Sequence, residues 1–103
     1  MDSVERLLWW LFGSSIGAST RARVVRAIKE SPRNAQQIAQ ELGVDYTTVR
    51  HHLRVLQENR LVETAGERYG MTYFLSPTLE SHWEVFEKIV AKMESKKERD
   101  ADA

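Results

Sequence analysis

Apolar residues recur at helical spacing in five segments of this chain and alternate with polar ones in two short stretches. Val4, Leu7, Leu8, Trp10 and Leu11 form a broad stripe that predicts a first helix over residues 3–12, with Ser3 as its cap. Trp9 and Phe12 widen that stripe almost to the full circumference. The Gly/Ser-rich segment 13–19 reads as a loop, with Ser19 or Thr20 capping the next helix. This second helix, over 20–30, buries Ala22, Val24, Val25, Ala27 and Ile28, and Ser31-Pro32 stops it, because a residue before proline is pushed out of the α region.

Asn34 with Gln37 has the pattern of a capping box and opens a short helix, Ala35 to Leu42, with Ile38, Ala39 and Leu42 inward. Gly43 ends it as a residue able to take positive φ. After a linker of Gly43-Val44-Asp45, Asp45 caps a helix running to Asn59, with Val49, Leu53 and Leu56 on its inner side. The period then shortens. Leu61–Ala65 and Met71–Leu75 read as strands joined by a turn over residues 66–70. Ser76-Pro77 starts a last helix, expected from 78 to 96, where Leu79, Trp83, Phe86, Val90 and Met93 make a short heptad seam. Residues 77–94 serve as its packing part, and residues 95–103, without apolar anchors, are expected to form a flexible tail.

Two helices separated by a tight glycine turn form a helix-turn-helix, and the second has two distinct faces. Tyr46, Thr47, Arg50, His51 and Arg54 fall on its outer side. Arg50 and Arg54 are four residues apart, so both forks can enter one groove and pair with guanine O6 and N7. Thr47 can meet a thymine methyl or a phosphate, Tyr46 a phosphate or sugar, and His51 a base or phosphate. Such residues also occur on plain solvated helices; the turn before them and the hairpin after them favour contact with duplex DNA. His52 falls near Val49 and Leu56 and reads as a structural histidine. The hairpin is a candidate wing, with Arg68 and Tyr69 at its tip, and Arg21 and Arg23 are candidate phosphate clamps.

Charge sharpens this picture. The chain has 103 residues and no net charge, yet segment 20–60 carries a balance of +4 between segments of −1 and −3. A local basic footprint, rather than the total, governs approach to DNA. Cysteine is absent, which excludes a disulfide scaffold, a thiolate metal site and a cysteine redox switch, and accords with a cytoplasmic location. The longest apolar run, Leu7 to Phe12, is far short of the roughly 20 residues that span a membrane, so no membrane partner is expected. No nucleophile arrangement, phosphate-binding glycine loop or acid–base pair supports an enzyme, and no cofactor is expected. The excess of aromatic residues on the first helix fits either tight internal packing or, as favoured here, a subunit interface.

The text Thr20-Arg-Ala-Arg-Val-Val-Arg-Ala-Ile28, Asn34-Ala-Gln-Gln-Ile-Ala-Gln-Glu-Leu-Gly43 and Asp45-Tyr-Thr-Thr-Val-Arg-His-His-Leu-Arg-Val-Leu-Gln-Glu-Asn59 resembles the ArsR-type winged helix-turn-helix regulators, and more closely their small archaeal members. The resemblance covers residues 18–76. It implies a single winged-helix domain over 1–103, mainly α with a small β-hairpin, with N- and C-terminal dimerisation helices. It further implies a homodimeric repressor that binds a palindromic operator; the alternative is a winged-helix protein-interaction module without direct DNA readout, in which Arg50 and Arg54 dock an acidic partner. Leu7, Leu8, Trp10, Leu11, Leu79, Trp83, Phe86, Val90 and Met93 are then the expected dimer surface. The chain departs from the metal-sensing members: residues 38–43 hold neither Cys nor His, and His82 with Glu80, Glu84 and Glu87 is poorly spaced for a site. A small unidentified effector between the terminal helices remains open.

Overall fold

The computed structural model describes residues 2–67 and 70–102, the last four of these by backbone alone. It forms six α-helices and one antiparallel hairpin among these residues, and the chain divides into two compact units.

One unit comprises the chain up to Ala22 and from Ser81 on. Helix α1 (Ser3–Trp9) is capped by Asp2, not Ser3: the Asp2 carboxylate accepts from the Glu5 amide at 2.7 Å. That bond, with the nearby His82, holds the Asp2 carboxyl below its ordinary value. The helix does not stop at Phe12 but opens into a π-helical turn, Trp10–Ser14. Gly13 is required there, since a Cβ would stand 2.9 Å from Cε3 of Trp9. Helix α2 (Ala18–Glu30) begins two residues earlier than expected, so Ser19 and Thr20 lie inside it rather than capping it. Phe12 packs edge-to-face on Phe86 at 4.9 Å, and Trp83 stacks on Phe86 at 4.5 Å.

The long C-terminal helix is in fact two, α5 (Pro77–Ser81) and α6 (Trp83–Asp102), interrupted at His82. Helix α6 continues through most of the segment expected to be a flexible tail. Glu, Lys and Ala are strong helix formers, and no glycine or proline interrupts them there.

The other unit runs from Arg23 to Glu80. Here sequence and structure agree closely. Helix α3 (Ala35–Leu42) has the complete capping box, with Gln37 N donating to Asn34 at 2.8 Å and Asn34 N donating to the Gln37 side chain at 3.0 Å. Gly43 closes it at φ 64°. Helix α4 (Tyr46–Glu58) starts at Asp45, whose carboxylate accepts from the Thr47 and Thr48 amides. Strands β1 (Val62–Ala65) and β2 (Thr72–Leu75) pair from Val62 with Leu75 to Ala65 with Thr72. A further bridge, Tyr73 N to Arg33 O at 2.9 Å, ties β2 to the segment before α3. Ser76 accepts from the Leu79 amide and so caps α5, with Pro77 at its first position.

Burial corrects the expected dimer surface. Leu8, Leu11, Leu79, Phe86 and Val90 are buried within the single chain. A chain this small has little apolar volume to spare, so its own core consumes them. Trp10 is 60 % exposed, and Leu7, Trp83 and Met93 are half-buried; these four are the members of the predicted set that reach the surface.

Candidate nucleic-acid interface

Helix α4 is amphipathic with few exceptions. Val49, His52, Leu53 and Leu56 are buried, while Tyr46, Thr47, Arg50, His51 and Arg54 are exposed. The inward residues recur at spacings of three and four and fix the helix against the unit's core, which leaves the opposite stripe free of packing duties. Neither Arg50 nor Arg54 has an ion-pair or hydrogen-bond partner among the described residues. The Asp45 carboxylate, at the start of the same helix, is occupied in capping it. Two unpaired guanidinium groups on a rigid, capped helix are suited to anionic or acceptor-rich partners, because arginine presents a fixed planar fork of donors. His51 stands at one margin of the face, its ring 5.4 Å from that of buried His52.

Beside this face lies an open depression of about 360 Å³. The start of α3 contributes Asn34, Ala35 and Gln36 to it, α4 contributes Tyr46 and Arg50, and the far side is Met71 and Tyr73. Sequence patterns assigned Gln36 no role. Its exposure at the second position of a capped helix was the one available signal.

The remaining candidates fare differently. Arg21 is a correction. It is only 4 % exposed, and its guanidinium donates to Leu11 O at 2.7 Å, Ser15 Oγ at 2.8 Å and Ile16 O at 3.4 Å. The π-helical turn explains this. Ser15 N bonds to Trp10 O, so the Leu11 carbonyl loses its normal i+4 amide donor and accepts instead from Arg21 and, at 3.3 Å, from Ser15 Oγ. Burial lowers the Arg21 pKa, and no phosphate can reach it there. Arg23 is exposed but donates to Leu42 O at 2.8 Å, closing the last turn of α3. Arg33, another cation of the basic segment, pairs with Glu41 and Glu30. Arg68 and Tyr69, the expected wing-tip contacts, lie outside the described residues. Among the described residues, no group of three or more His, Asp or Glu is placed to hold a metal, and no helix is long and apolar enough to cross a membrane.

Comparison with known proteins places this geometry. Residues 18–64 match the family model described as the bacterial regulatory protein, arsR family. No protein of curated function matches the sequence. Among solved structures, the chain is similar to the reduced form of the transcriptional regulator YodB from Bacillus subtilis, with TM-score 0.69 and 16 % identity over 88 % of this chain and 89 % of that one. It is also similar to the homodimeric winged helix-turn-helix DNA-binding domain of Mb0332 from Mycobacterium bovis, a possible ArsR-family regulator, with TM-score 0.63 and 20 % identity over 89 % and 87 %. ZitR from Lactococcus lactis gives TM-score 0.59 and 19 % identity over 87 % of this chain, which spans 64 % of ZitR. These relatives are bacterial and do not bear on the archaeal likeness read from the sequence. The chain thus carries a mainly helical winged helix-turn-helix fold with a small antiparallel hairpin, and its residues 18–64 match the arsR family model.

Proposed function

We propose that the protein is a sequence-specific, duplex-DNA-binding regulator of transcription that acts as a homodimer, most simply as a repressor that occludes a promoter. The observation that carries this reading is the outer face of α4, where Tyr46, Thr47, Arg50, His51 and Arg54 stand exposed and both arginines lack partners among the described residues. The family matched over residues 18–64 is described as regulatory, which accords with a binding protein rather than a catalyst. A second copy would cover Trp10, Leu7, Trp83 and Met93, and its α4 would enter the next major groove about 34–36 Å away. The hairpin would act as the wing, with Arg68 and Tyr69 toward the flanking backbone. A cytoplasmic location and a small effector that modulates binding belong to this same reading.

Selection from a randomised duplex library tests it. The expected outcome is enrichment of a palindrome with half-sites one helical turn, about 10 bp, apart. Recovery of a pool no different from the input would overturn the reading.

A further inference from the structure

The five outer residues of α4 are not equivalent. At about 100° per residue, Tyr46 and Arg50 lie at one margin, Arg54 and Thr47 near the middle, and His51 at the other margin. The structure marks the Arg50 margin independently, since Tyr46 and Arg50, but not Arg54, line the depression shared with α3 and β2. A helix with its side chains is about 10–12 Å across and the major groove about 12 Å wide. The middle of an inserted helix therefore faces base edges, and its margins face the sugar-phosphate rims.

The depression suits such a rim. No carboxylate lines it, and Arg50 brings an unpaired guanidinium. Tyr73 is only 4 % exposed, yet its hydroxyl makes no hydrogen bond among the described residues. Gln36 adds an exposed amide. The capping box occupies the amides of Asn34 and Gln37 and leaves those of Ala35 and Gln36 uncommitted. The Tyr46 ring and Met71 supply the apolar surface that a deoxyribose needs. A volume of about 360 Å³ holds a phosphate together with its sugar.

We propose that this depression seats one DNA backbone phosphate, clamped by Arg50 with Gln36 and Tyr73, and that Arg54 is the arginine that reads guanine. The two arginines thus divide the work that sequence spacing alone would give to either. This rests on the DNA-binding reading above and deepens it.

The test compares Arg50→Gln, Gln36→Ala and Arg54→Gln with wild type on the selected duplex and a scrambled one, across a salt series, after circular dichroism confirms each fold. A phosphate contact lends affinity without sequence information, and its loss flattens the slope of log K against log salt by about 0.9. Arg50→Gln is therefore expected to weaken both duplexes by one common factor and to flatten the slope. Gln36→Ala, uncharged, is expected to weaken both equally with the slope unchanged. Arg54→Gln should cut the ratio of specific to scrambled affinity by about 5- to 150-fold, the equivalent of a lost base contact. A fall in that ratio for Arg50→Gln with an unchanged slope would overturn the proposal, as would an Arg50→Gln variant that binds like wild type. Wild-type protein that fails to distinguish the two duplexes would instead sink the underlying DNA-reading assignment.

Discussion

Arg21 shows how one side chain can be misread when its partner is a backbone irregularity. Its position at the start of a helix in the basic segment suggested a phosphate clamp, and the sequence holds no sign of the π-helical turn ten residues earlier that claims it. A π turn shifts the amide of Ser15 to Trp10 O and leaves the Leu11 carbonyl with a long bond from Ser15 Oγ at 3.3 Å and the shorter, charged one from Arg21 at 2.7 Å. Weakening the bonding of a buried carbonyl is costly. Arg21 therefore joins the first helix to the second from inside. Replacing it with methionine keeps most of the stem volume and removes the donors. Hydrogen bonds from charged groups contribute about 1.5–3 kcal/mol, so Arg21→Met is expected to lower the melting temperature by roughly 10 °C, read by thermal circular dichroism. An unchanged midpoint would show that Ser15 Oγ alone satisfies the Leu11 carbonyl. Arg50 and Arg54 were legible for the opposite reason: outward position on a regular helix follows from spacing alone.

At the level of elements, legibility follows local signals. Helices α3 and α4 and both strands fall within a residue or two of their sequence boundaries, because caps, a glycine and a change of period mark each end. The π turn, the break at His82 and the bridge from Arg33 to Tyr73 carry no comparable mark, since each depends on contacts distant in sequence. The ends of α3 and α4 make an instructive pair. Gly43 takes φ 64° after α3, with open space where a Cβ would be. Arg60 takes φ 60° after α4, where its amide bonds to Gln57 O and that of Leu61 to Leu56 O at 2.9 Å. This is a Schellman closure with arginine in the position usually held by glycine. A left-handed residue other than glycine costs roughly 1 kcal/mol. Gly43→Ala should therefore lose about 1 kcal/mol and Arg60→Gly gain about as much, measured by urea unfolding with unchanged m. A loss of stability in Arg60→Gly would mean that the arginine side chain makes contacts that outweigh its backbone strain.

For the molecule as a whole, the question is which apolar residues serve one chain and which serve two. Residue type cannot separate them, since Leu8, Leu11, Phe86 and Val90 look as suited to a subunit seam as Trp10 and Trp83. Burial separates them. The first four are sealed inside the chain, while Trp10 presents a large ring to solvent and Ile16, 98 % exposed, stands close by in sequence. The two groups should respond differently to truncation. Leu8→Ala opens a cavity in a small core and is expected to cost about 2–5 kcal/mol, reducing folding and assembly together. Trp10→Ala removes surface from a partner and leaves the core untouched, so the protomer should keep its helical circular dichroism while sedimentation shifts toward a single-chain species. Because two linked contact faces bind far more tightly than one, the same variant should lose most of its affinity for a palindrome yet bind an isolated half-site like wild type. If Trp10→Ala sediments as wild type does, the second copy sits elsewhere. If it loses its half-site affinity too, Trp10 supports the fold of the chain rather than its pairing.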